Sequence, residues 1–384
     1  MGLTTFDMPR IHRVVQGPGA VHAIGEELRS RGLSRAYLVT GRSVGSSAHF
    51  RDLVDELGDS VAGVYDRVLA HNPVDRVVEL IGEARASGAD VLIAVGGGSP
   101  IDAAKLAALG GAHGITTAEG LAEFAVVFEY PDTVKIRPLD TAPLPTFAVP
   151  TTLSAAEWDG FCGSVDHARD TNDLTPQVVF LDPEFAAHTP RDLWAQTGVR
   201  ALDHAIEIGY AKNAHPFFSA LTTGALRLLA ANLPRSAADP QDFEAALNCQ
   251  IAAWMSIIGV HNVSLGLSHA IGHQLGALGI PHGVTSCIML PHVMRFLEPV
   301  TQDAQARMAT TLVEAGVATP GEPAADAMDR LLNDLGVPRR VSDFGIPKEK
   351  IPGVAASSMG DIVVRESPRP VDEATITRLL ETVW

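Results

Sequence analysis

From residue 34 to about 180, short apolar runs rich in Val, Ile and Phe alternate with stretches whose apolar positions recur every three or four residues. SRAYLVT, VAGVYDRV, DVLIAVGGGS, TFAVPTT and QVVFLDPE have the continuous apolar texture of strands buried on both faces. SSAHFRDLVDELG and PVDRVVELIGEARASG, lying between them, carry a helical period. This rhythm predicts a doubly wound, parallel α/β domain over residues 1–184. Beyond Pro183 the period changes. PRDLWAQTGVRALDHAIEIGYA, PFFSALTTGALRLLAANL, FEAALNCQIAAWMSIIGV and DAMDRLLNDLG all read as helices, which predicts an all-helical domain over residues 185–384.

The strand DVLIAV runs into Gly96, Gly97 and Gly98, then Ser99, Pro100 and a helix predicted to start near Ile101. Glycines let a backbone approach a diphosphate closely, and the first amides of a helix supply donors and partial positive charge. A tight turn with Ser99 as cap and Pro100 at the first helical position explains the same residues, and the two readings are compatible. The first strand ends at Gly41 with no acid to grip a ribose; Arg42 beside it suits a 2′-phosphate, so NADH and NADPH both stay open.

A formal charge of -16, from 29 basic and 45 acidic residues, argues against nucleic acid and for a small-molecule substrate. Cys162, Cys249 and Cys287 form no CxxC pair, so neither a disulfide framework nor a cysteine zinc site is expected. The opening residues lack the pattern of a signal peptide and no apolar run reaches the ~20 residues of a membrane span, which together predict a cytoplasmic protein.

The chain's remaining chemistry is concentrated in TGVRALDHAIE and LSHAIGHQLGALGIPHG, which place Arg200, Asp203, His204 and Glu207 in one stretch and His269, His273 and His282 in the other. Histidines at i and i+4 share a helix face, which serves a metal, a proton relay or packing equally well. His261 stands eight residues before His269, and His71 precedes a loop proline. Glu157, Trp158 and Asp159 follow the Thr151–Thr152 pair and could border a cofactor or substrate pocket.

GGGSPIDAAK, VPTTLSAAE, VVFLDPE, TGVRALDHAIE and the histidine stretch, in that order, resemble the iron-containing alcohol dehydrogenase family over nearly the whole chain. The resemblance implies an NAD(P)-dependent oxidoreductase passing hydride between nicotinamide and an alcohol or carbonyl carbon, commonly as a homodimer. It implies cofactor contacts from Gly96, Gly97, Gly98, Ser99, Asp102, Thr151 and Thr152, which join Gly41 at the end of the first strand as candidate cofactor residues. It also implies a site for Fe or Zn whose ligands correspond to His204, His269 and His282, with Arg200 where the family has aspartate.

A guanidinium cannot ligate a cation, so the expectation is a largely metal-free enzyme, with Asp203 as the residue that could replace the lost ligand. The short VPTTLSAAE loop and the missing aspartate resemble the maleylacetate reductase branch, which implies a carbonyl substrate carrying negative charge. His273 is then the proton donor, while His269, His204 and Arg200 polarise the carbonyl or hold a substrate carboxylate. Three other readings stand beside this one: a metal-dependent dehydrogenase with a rearranged ligand set, a lyase resembling dehydroquinate synthase, and a nucleotide-binding protein without activity.

Overall fold

Six strands, all parallel, make the sheet of the first unit: β1 (Arg13–Gln16), β2 (Ala36–Gly41), β3 (Val61–Val68), β4 (Val91–Gly96), β5 (Thr146–Pro150) and β6 (Val178–Leu181), in the order β1-β6-β5-β4-β2-β3. This is a computed structural model, and it describes residues 5–129, 133–164 and 168–384. Every residue of β4, β5 and β6 is buried, as expected for strands covered on both faces. Strand β1 is an addition to the sheet read from sequence. It has only four residues, is partly exposed and begins on an arginine, so no apolar run announces it.

Helices α1 (Ala48–Leu57), α2 (Val74–Ala86) and α3 (Gly98–Ala112) follow β2, β3 and β4. Ile24, Leu38, Phe50, Ile93, Phe147 and Phe180 belong to one core cluster. Burying each such side chain contributes about 1.5–3 kcal/mol relative to leaving it in water. The chain runs outward from β2 to β3, returns to β4, and then builds β5 and β6 on the other side. The carboxyl ends of β2 and β4 therefore lie at a topological switch point, where open α/β sheets form ligand crevices. One backbone bond, from Thr151 N to Gly96 O at 2.9 Å, ties the loop that leaves β5 to the end of β4.

The second compact unit comprises Thr189–Trp384 together with Phe6 and Asp7 near the N-terminus; Met8–Glu129 and Thr133–His188 make up the first. Its helices are α4 (Arg191–Gly209), α5 (Pro216–Ala238), α6 (Phe243–Ile257), α7 (Leu267–Ala277), α8 (His282–Glu314), α9 (Ala324–Asp334) and α10 (Ile351–Met359), with a further helix at Glu373–Thr382. Helix α4 packs against α5, α6 and α8, and α7 against α8 and α10. α8 kinks at Thr301, whose φ of -127° is not helical, two residues after Pro299. Phe6 packs edge-on against Phe218, and Asp7 exchanges two hydrogen bonds with Asn262. Among the described residues no helix is long and apolar enough to cross a membrane.

Candidate functional site

The glycine turn belongs to the α/β unit. Gly96 has φ +143°, and a Cβ there would lie 2.9 Å from Pro100 Cγ. A Cβ on Gly97 would meet Thr152 at 3.1 Å, and one on Gly98 would meet Ser154 Oγ at 3.2 Å. The turn is thus packed against the loop after β5 with no room for side chains. Helix α3 starts at Gly98, and Gly97, its N-cap, makes no side-chain cap. This corrects the helix start expected near Ile101. Ser99 sits inside the first turn instead of capping it, because the extended backbone at Gly97 passes directly into the helix. The first amides of α3 therefore have no capping side chain, as a phosphate-binding turn requires.

Asp102 accepts from Gly163 N at 3.2 Å, and Thr151 and Thr152 are buried. Gly41 is the uncapped N-cap of the short helix Arg42–Gly45, with Arg42 exposed beside it. Sequence reasoning passed over Lys105, the last residue of the quoted glycine stretch. Its side chain is fully buried and donates to Ala156 O at 2.6 Å, Phe161 O at 2.7 Å and Asp159 Oδ1 at 3.4 Å, with Asp102 Oδ1 at 3.8 Å. Glu157, buried nearby, has its carboxyl pushed up to about 8 by burial, against the pull of backbone donation and Lys105. Trp158 and Asp159 are buried as well, while His71 occupies a loop with left-handed backbone.

The helical unit gathers the rest. Arg200, Asp203, His204 and Glu207 follow one another along α4, His269 and His273 stand four apart on α7, and His282 opens α8. Glu207 Oε1 accepts from Ser268 N at 2.8 Å, and Oε2 accepts from Gly266 N at 2.8 Å and lies 2.7 Å from His269 Nδ1. Asp203 Oδ2 accepts from Ser268 Oγ at 2.8 Å and is 3.6 Å from the same imidazole nitrogen. Arg200 Nη1 donates to Ser286 Oγ at 3.1 Å. The His204 and His269 rings stack at 4.9 Å between centroids.

Burial raises the Asp203 carboxyl against the pull of Arg200, and raises Glu207 with added repulsion from Asp203. It lowers His204 and His269, both further depressed by the Arg200 charge. Burial also pulls the guanidinium down, while Asp203 and Glu207 push it up.

His273 is half-buried, and its Nδ1 lies 2.9 Å from Asp361 Oδ2. Asp361 is 88 residues away in sequence and was not anticipated. The His273 ring stands edge-on to His269 at 6.3 Å and to His282 at 6.4 Å. His282 is exposed, with its ring over Gly276, where a Cβ would come within 2.9 Å of it. His261 lies in the turn after α6 and not on the helix of His269, so the two do not share a face.

Asp203, Glu207 and His269 each offer a ligand atom within 4.8 Å of the others, all three buried, and among the described residues they are the only such group. Asp203 Oδ1, His204 Nδ1 and His269 Nε2 are buried with no hydrogen-bond partner. Two carboxylates and one guanidinium leave one negative charge uncompensated, which a buried site must neutralise with a proton or a cation. Oxygen and imidazole donors suit a divalent transition metal. This group weighs against the metal-free chemistry expected from Arg200, because Asp203, one turn further along, supplies a carboxylate that Arg200 cannot.

Residues 11–183 match the iron-containing alcohol dehydrogenase family and residues 194–384 the C-terminal domain of the Fe-containing alcohol dehydrogenases. The chain is 34% identical to the lactaldehyde reductase of Escherichia coli (strain K12), covering 96% of this chain and 97% of that one. It is 28% identical to a maleylacetate reductase of Sphingobium indicum, over 97% of this chain and 95% of the relative. Its fold superposes on a crystal structure of 1,3-propanediol oxidoreductase with a TM-score of 0.88 at 26% identity, over 99% and 100% of the two chains.

The class of protein that fold and site define is an NAD(P)-dependent oxidoreductase. Within that class, the chain belongs to the iron-containing alcohol dehydrogenase family. Lyase activity and a purely nucleotide-binding role are set aside with that assignment. The relatives are mixed, with lactaldehyde reductase at higher identity than maleylacetate reductase, so they support the family and not one branch of it.

Proposed function

We propose that the protein interconverts a small carbonyl compound and its alcohol with NADH or NADPH, and that its substrate carries a negative charge. The observation that carries this reading is Arg200. It is a half-buried guanidinium with a single protein hydrogen bond, to Ser286, set among the histidines of the site. A guanidinium with free donors recognises a carboxylate by paired hydrogen bonds. The glycine turn, Asp102 and the Thr151–Thr152 loop hold the cofactor's diphosphate end, and Gly41 with exposed Arg42 leaves room for a 2′-phosphate. We expect a cytoplasmic homodimer, which light scattering would measure.

Asp203, Glu207 and His269 are the residues that would hold a divalent cation, with His204 alongside. Such a cation supplies Lewis-acid polarisation of the substrate oxygen. The chain's own residues do the rest. Arg200 orients the anionic end of the substrate, and His273 passes the proton that balances hydride transfer. His269 keeps Nδ1 within hydrogen-bond reach of Glu207, which fixes the orientation of its ring.

The test is metal analysis of purified protein combined with turnover of an aldehyde and oxo-acid panel before and after chelation. Stoichiometric metal whose removal lowers turnover at least about a hundredfold, with oxo acids preferred, supports the proposal. Full turnover of stripped protein would return carbonyl polarisation to Arg200 and the histidines.

A further inference from the structure

We infer that Asp361 is a positioning residue for proton transfer, holding His273 in the tautomer that carries its proton on Nδ1 and reserving Nε2 for exchange with the substrate. The inference rests on the reading of His273 as proton donor. Asp361 follows α10, far from either histidine stretch in sequence, yet its Oδ2 lies 2.9 Å from His273 Nδ1. The same oxygen accepts from Gln274 Nε2 at 3.3 Å, and Oδ1 accepts from Val363 N at 3.0 Å. Asp361 N donates to Ser358 O at 3.1 Å, anchoring the turn. The carboxylate is 9% exposed, and the imidazole it meets is 34% exposed. A buried, firmly held acceptor facing a more open imidazole is how a chain fixes which ring nitrogen moves its proton.

The step balances. The hydride carries an electron pair from the nicotinamide to the carbonyl carbon, and the carbonyl π pair moves onto oxygen. The alkoxide takes the Nε2 proton of the imidazolium, which becomes the Nδ1–H imidazole that Asp361 already accommodates. Solvent returns the proton. Asp361 takes up no proton in this step and touches no reacting atom.

Histidine-selective 15N labelling of the full-length protein reads the tautomer without turnover, with His273→Gln assigning the resonance. The expected result is Nδ1–H at His273 in the native protein and redistribution toward Nε2–H in Asp361→Leu and Asp361→Asn. The near-isosteric Asn variant keeps the test alive where Leu fails to fold. With NADH and propanal as probe, Asp361→Asn should lower kcat about tenfold or more while leaving KM for NADH and the melting temperature near native. Asp361→Glu should recover part of the rate, and adding Asp361→Asn to His273→Gln should cost nothing further. An unchanged tautomer, or additive losses in the double variant, would overturn the inference. If His273→Gln turns over at the native rate, the proton-donor reading itself fails and the inference falls with it. If only the Asp361 variants are silent, the reading survives alone.

Discussion

Each unit sets a cation among carboxylates, fully buried in one and half-buried in the other, and the two clusters are finished differently. In the α/β unit Lys105 is saturated: two backbone carbonyls and Asp159 take its three protons, with Asp102 nearby. The oxygens left over, Asp102 Oδ1 and Glu157 Oε2, belong to carboxyls whose affinity for protons is raised, so a proton can satisfy them. In the helical unit Arg200 spends one hydrogen bond on Ser286, and the leftover atoms include nitrogens of His204 and His269. Burial and the Arg200 charge disfavour protonation of those imidazoles, so a donor or a cation from outside answers them better than a proton. Completed buried networks brace a fold, and incomplete ones are where ligands complete the count.

Lys105→Met should break this comparison most severely. It strands Asp159 and the carbonyls of Ala156 and Phe161, a loss of about 3–5 kcal/mol, and the loop after β5 should loosen from the glycine turn. Chemical denaturation measures it, and a variant as stable as the parent would make the lysine cluster no scaffold at all.

Arg200→Asp addresses the other cluster. It removes the guanidinium and restores the carboxylate typical of the family, so metal retention should rise and the preference for oxo acids over neutral aldehydes should fall by about 1.5–3 kcal/mol, roughly tenfold to more than a hundredfold. Unchanged metal content and an unchanged preference would mark Arg200 as structural.

Glu157→Gln should have the smallest effect, visible in pH dependence. Buried Glu157 keeps its proton to about 8 when folded, whereas in the unfolded chain it ionises near its ordinary 4.5. The native state therefore binds more protons between those values, and its stability falls as pH rises through that window. The Gln variant should flatten this slope and gain about 1 kcal/mol or more at pH 8; parallel curves for the two proteins would contradict the assignment.

The legible parts of the molecule were those with local pattern. Five of the six sheet strands and the glycine turn stand in runs whose period shows what they are, whereas the α4 and α7 histidines stand at a spacing that serves a metal, a proton relay or packing alike. β1 did not, because four half-exposed residues carry no period. Lys105 was visible as a letter but not as a buried hub, since its partners lie 51 to 56 residues on. Asp361 was hidden for the same reason across 88 residues. The role of Asp203 depended on the α4 face meeting Ser268 and His269, a tertiary fact that i,i+3 spacing alone does not contain.

The placement of Phe6 and Asp7 bears on how the molecule can be divided. Both belong with the helical unit, although the α/β unit follows them in the chain. Phe6 covers Phe218 and His215, and Asp7 pairs with Asn262. A fragment starting at Thr189 would leave these groups bare, and a bulky fusion close to Phe6 would strain the same contact. The helical unit is best produced with its leading residues supplied as a separate peptide, or with the chain permuted so that they join its own end.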